Sequence, residues 1–298
     1  MKYVWVLAIL SALLLAGFLL LRPRLGSMGT PSAPDTTGRA RRQVPDGTTS
    51  GPTTTPDATG PSAARTSAPT DEEAARAGIT HSDEVERLIL DLVNENRRRA
   101  GRADLAPDDA LRDSARLHSG DMLLRNFFEH VNPDGAAPAD RIARLHRRLV
   151  GLTGENIWKG SGLDAARQKE LAAEVVRDWM GSPGHRENIL RPEYTHVGVG
   201  VSIKGGEVRV TQNFAFVRAL LDRPLPAAVR SGETLDLVTN PAAEKYDFWL
   251  SEKGERAGDS LDLNDAAVKV SPGSYKLRFY FRKPDGYAIF TGPQVEVK

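Results

Sequence analysis

The chain has 298 residues, with 40 Lys plus Arg against 39 Asp plus Glu, and no cysteine. That length accommodates about two ordinary domains, and an apolar share of 40% is enough for a sizeable core. A net charge of +1 gives no global pull toward nucleic acid, and the missing cysteine excludes disulfides, zinc knuckles, thiol catalysis and a cysteine-linked lipid anchor.

The first element is an uncharged apolar run from Tyr3 to Leu21. A membrane-spanning helix takes about 20 apolar residues, whereas the core of a cleaved signal takes about 7–15. Residues 1–25 are therefore expected to form an uncleaved signal anchor, a transmembrane helix that leaves the body outside the cytoplasm. Secretion after signal cleavage is the alternative. Residues 26–81 are dominated by Pro, Thr, Ser, Gly and Ala. Such a segment cannot bury enough surface to offset the entropy of ordering, so a disordered tether is expected.

Helical periodicity begins near Ser82. Val85, Leu88, Ile89, Leu92 and Val93 share one face, Asp83 and Glu86 have capping-box spacing, and Arg97, Arg98 and Arg99 stand where helix-end carbonyls need donors. A second helix over about Pro107–Asn126 places His118 on a stripe with Leu111, Ala115 and Met122, which reads as a core histidine. A loop then carries His130. In a short third helix Ile142, Leu145 and Leu149 are expected inward and His146 on the solvated side with the arginines. A glycine-flanked segment holds Glu155. The fourth helix spans about Asp164–Met180 and stops at Gly181. Ser182 and Pro183 then form a cap and first position for a shorter helix, with His185 at its third position. Two alternating runs joined by "KGG" predict a hairpin, and Gly198 and Gly200 read as strand residues because no helix follows them. From residue 225 onward, short alternating runs punctuated by "SPG" and "KPDGY" predict a small all-β, sandwich-like module.

"HSGDM", "FFEHVNPDG", "GENIW", "WMGSPGHRENIL", "HVGVGV" and "TQNFAF" follow one another between Asp83 and Val217. In that order they resemble bacterial members of the CAP superfamily (cysteine-rich secretory proteins, antigen 5 and pathogenesis-related proteins; the SCP domain). The resemblance implies an α+β fold: an α-β-α sandwich over residues 82–218 with a cleft on one face, followed by the β-module at 225–298. Eukaryotic members line the cleft with two histidines and two acids. By resemblance these fall on His130, Glu155 and His185, while the second acid position is Ser182.

Two imidazoles and a carboxylate brought together by that fold suit a divalent cation such as zinc, with water as fourth ligand. Equally, Ser182 and His185 can cap a helix while Glu155 accepts a hydrogen bond. Two functions stay open. One is a membrane-anchored binding module, with His130, Glu155, Ser182 and His185 holding a metal ion or a small-molecule, lipid or cell-envelope ligand, and no nucleic acid. The alternative is an envelope hydrolase with Ser182, His185 and Glu155 as nucleophile, base and orienter. Neither a Gly-x-Ser-x-Gly elbow nor a His-Glu-x-x-His motif is present. A structural spacer, the third possibility, needs no cleft.

Overall fold

The computed structural model describes residues 70–161, 167–251, 253–263 and 267–298. The expected anchor, most of the tether and the expected start of the fourth helix lie outside the described residues. No described helix is long and apolar enough to cross a membrane.

Among the described residues the first regular element lies inside the stretch expected to be a tether. The Thr70 hydroxyl accepts from the Glu73 N–H and the Glu73 carboxylate accepts from the Thr70 N–H, which closes the first turn of α1 (Asp71–Arg76). Ala74 and Ile79 then pack against Leu123. β1 (Thr80–His81) leads into α2 (Asp83–Arg99), where Val85, Ile89 and Val93 are fully buried. The cap of α2 is Ser82, not Asp83, because the Ser82 hydroxyl accepts from Val85 N–H. Glu86 is thereby free to bond Arg116 and the Val201 N–H. Arg97 is fully buried and donates to four carbonyls, those of Ala103, Ile189, Arg191 and Tyr194.

β2 (Ala106–Pro107), α3 (Asp109–Leu124) and α4 (Pro138–Leu145) follow. Three expectations fail around the end of α4, those for Leu145, for the helix reaching Leu149 and for His146. Leu145 is exposed, and Leu149 opens a strand instead of extending the helix. The cause is His146, which is buried rather than solvated: its Nδ1 accepts from Leu149 N–H and its Nε2 meets Asp108 at 3.1 Å.

β3 (Leu149–Ser161), α5 (Gln168–Gly181), α6 (Pro183–Leu190), β4 (His196–Lys204) and β5 (Glu207–Leu221) complete the first part. β4 and β5 form the expected hairpin, turning through Gly205 and Gly206 at φ +56° and +83°. Val197, Val199 and Val201 of β4 and Val208, Val210 and Phe214 of β5 pack against α2 and α5. The other face takes α3. A Cβ on Gly198 would lie 2.0 Å from Arg112 N, and one on Gly200 2.2 Å from Arg116 N. These glycines let α3 rest directly on the strand, so helices cover both faces of the sheet.

The rest is a β-strand module: β6 (Ala228–Val229), β7 (Thr239–Asn240), β8 (Lys245–Leu250), β9 (Arg256–Asp262), β10 (Gly273–Lys283) and β11 (Gly286–Val297). A sandwich-like module with its own facing sheets was expected. The strands instead continue one hydrogen-bonded path, β1-β4-β5-β3-β11-β10-β8-β9, joined where Thr291 pairs with Gly151, and β7 also pairs with the end of β5 through Leu220–Asn240 and Leu221–Thr239. Tyr275, Leu277, Phe279 and Phe281 alternate into the core along β10 and pack with Tyr246 and Phe248. Leu225, Leu235 and Leu237, from the irregular segment between β5 and β8, join this cluster, as do Val150, Ala219 and Leu221 of β3 and β5.

Candidate functional site

β3 pairs with β5 along its whole length but with β11 only at Gly151. Side chains from α5 and α6 occupy carbonyls along the strand. Trp179 Nε1 donates to the Ile157 carbonyl at 3.1 Å, and Asn188 Nδ2 donates to the Glu155 carbonyl at 3.2 Å. Asn156 Nδ2 in turn donates to the His185 carbonyl. These bonds fix the head of α6, and with it His185, beside the middle of β3.

Glu155 is adjacent to Asn156 and so points to the opposite face, toward α3 and α4. Its side chain is only 2% exposed. Oε1 accepts from His130 Nδ1 at 2.8 Å and Oε2 from Arg141 Nη2 at 2.6 Å. Arg141, in the first turn of α4, also donates through Nη1 to the carbonyls of His130 and Ala136. Burial pushes the Glu155 carboxyl up, but the His130 hydrogen bond and the Arg141 charge outweigh it and hold the group below the usual carboxylate range. An ionised carboxylate only accepts, so His130 Nδ1 carries the proton. In the neutral ring Nε2 is then an open lone pair. The His130 side chain is 48% exposed, so that nitrogen is reachable from solvent.

His118 stands behind this pair. Its side chain is fully buried, its Nε2 is 3.1 Å from the Glu129 carbonyl and 3.9 Å from Glu155 Oε1, and its ring packs against Phe127. Burial pushes it down to about 4, against the pull of the Glu155 charge. The expectation of a core histidine holds, and the residue also belongs to the cleft's inner wall. Arg141 received no role from the sequence. Its only signal there is a position in the first turn of a short helix.

His185 occupies the third position of α6, as expected, and is held below the usual histidine range by burial first and the His130 charge second. Ser182 is the cap residue by position, yet its side chain makes no capping hydrogen bond. Among the described residues neither Ser182 nor His185 is hydrogen-bonded to Glu155. The structure brings Glu155 and His130 together, sets His185 near His130, and places Ser182 at the head of α6.

A divalent cation does not fit this set. Both Glu155 oxygens are engaged, and a guanidinium is fixed 2.6 Å from one of them. Among the described residues no three His, Asp or Glu side chains are placed to hold a metal ion.

The model of the cysteine-rich secretory protein (CAP) family matches residues 90–214. The Bacillus subtilis protein YkwD is 35% identical over 127 residues, 43% of this chain and 46% of that protein. The Bacillus subtilis membrane protein YlbC is 36% identical over 129 residues, 43% of this chain and 34% of that protein. Each match thus spans less than half of the relative. A solved extracellular SCP-domain protein from Bacillus anthracis is 30% identical with a TM-score of 0.38, the match covering 50% of this chain and 45% of that one. His118, His130, Arg141, Glu155, Ser182 and His185 all fall inside the matched stretch, and residues 90–214 carry the CAP-domain fold that the family model matches.

Proposed function

We propose that this chain is an extracytoplasmic CAP-domain protein that hydrolyses a small ester- or amide-bearing envelope component, held at the membrane by Tyr3–Leu21 and the tether that follows. One observation carries the reading: Glu155, buried and kept ionised, orients His130 through Nδ1 at 2.8 Å and leaves Nε2 free as a general base. The base is His130 rather than His185, because Glu155 bonds His130. His185, kept neutral by burial, stands near it as a hydrogen-bonding partner for the substrate. The Ser182 hydroxyl is not used in capping and is the candidate nucleophile, with water as the other.

A second reading, a binding module for a small polar or envelope ligand, is favoured by a different observation. Among the described residues no serine or threonine hydroxyl is hydrogen-bonded to His130 or His185. A panel of nitrophenyl esters, peptides and purified cell-wall fragments separates the two. Turnover is expected to fall about 100-fold or more in His130→Ala, as for loss of a general base. Ser182→Ala abolishes it only if the serine is the nucleophile. No turnover by the parent, with ligand uptake lost in His130→Ala, establishes the binding module. Zinc uptake by the parent that is lost in both His130→Ala and His185→Ala would restore the metal reading.

A further inference from the structure

α4 carries the guanidinium that holds Glu155, and the β-strand module grips that helix at both ends. At the N-terminal end Lys276 of β10 is ion-paired with Asp140, the two side chains 24% and 19% exposed. Asp140 has a second contact: its Oδ2 accepts from Ala137 N–H at 3.0 Å and closes the first turn of α4. The next residue is Arg141, which bonds Glu155 Oε2 and the carbonyls of His130 and Ala136. At the other end Arg147 donates to the carbonyls of Leu225, Pro226 and Gln294, and back to that of Ala143 in α4. All three of those outside carbonyls lie beyond the stretch matched by the CAP family model.

We infer that Lys276 is a positioning residue for the cleft. By fixing Asp140 it sets the first turn of α4, and so sets where Arg141 holds both the Glu155 carboxylate and the backbone of His130. An arginine bonding three acceptors at once is a rigid fork, and hydrogen bonds weaken steeply as their angles open. A small rotation of that turn therefore loosens all three bonds together. The β-strand module is in this way part of the cleft's framework. The role holds whether the cleft catalyses or only binds.

The test uses the full chain with Lys276→Ala, Asp140→Asn and the double change. Asparagine at 140 can still accept the Ala137 N–H but carries no charge for Lys276. The readouts are the ring-nitrogen NMR signals of His130 and amide hydrogen exchange along α4, both recorded without substrate. Each single change should displace the His130 ring signals and speed α4 exchange by up to about five-fold, the ceiling for a partly exposed ion pair. Lys276→Arg should restore the parent signals, and the double change should do no more than either single one. His130 signals that stay put in both single variants overturn the role, whatever happens to the melting temperature. So do effects that simply add in the double variant. Since no turnover is measured, failure of the hydrolase reading leaves this result intact.

Discussion

Glu155 has no oxygen left over for a weak partner, which makes it the residue whose loss should be felt most. Glu155→Gln keeps the shape but removes the charge that Arg141 and His130 share. Leaving a buried guanidinium without its counter-charge costs about 3–5 kcal/mol, to be read as a drop in denaturation midpoint at neutral pH. His118 sets a second expectation. Its folded value of about 4 lies below an unfolded value of about 6.5, so between these the unfolded chain binds more protons. Its contribution is fully present above pH 6.5 and is lost as pH falls toward 4, on the order of 3 kcal/mol by the end. Glu155 acts in the same sense at lower pH, since its folded value is also depressed. His118→Leu should flatten the decline between pH 6.5 and 4, and an unchanged slope in that variant would show that His118 does not titrate this way. His130, Glu155 and His185 were legible because each stands in a short distinctive motif. Arg141 was not, because its contact with Glu155 exists only once α4 lies against β3. His118 was legible only as core, since a stripe position says nothing of a carboxylate 3.9 Å away.

The long helices α2 and α5 and the β4–β5 hairpin could be read from periodicity, because each runs without interruption. β3 could not. Its sequence, "LVGLTGENIWKGS", has glycines at 151, 154 and 160 that lower strand preference and break the alternation. Those glycines answer to neighbours in space: a Cβ at Gly151 would lie 1.9 Å from the Phe216 carbonyl oxygen, and one at Gly154 2.2 Å from the Tyr194 hydroxyl. The same logic gives a sharp contrast on β4. Gly200→Ala would force its methyl into the α3 backbone, which cannot swing aside as a side chain can. A loss of about 1–3 kcal/mol is expected in urea unfolding. Gly181, at the end of α5, has nothing within 4 Å of its Cβ position. Gly181→Ala should therefore be neutral or gain up to about 1 kcal/mol. Equal effects at the two glycines would refute the close approach of α3.

Across the molecule, the β-strand module was visible in its alternating pattern, but its union with the CAP sheet was not. That union rests on the pairings of β11 with β3 and of β7 with β5, on a shared apolar cluster, on the Lys276–Asp140 ion pair and on Arg147, whose acceptors no sequence pattern marks. Cutting after residue 221 would uncover Val150, Ala219 and Leu221 and strip Arg147 of three carbonyls. A fragment of residues 70–221 is therefore expected to melt below the full chain and to bind a hydrophobic dye. Identical melting of fragment and parent would mean that the two parts are energetically separate. Val150 and Arg147 sit inside the CAP domain, yet Val150 packs in the module's cluster and Arg147 finds three acceptors in the residues that follow the CAP strands. Descent should record this dependence. In lineages whose CAP domains stand without such a module, these two positions lose their reason to be apolar and basic and should drift toward polar, uncharged residues. In lineages that keep it, they should change only together with the segment around residues 225–226.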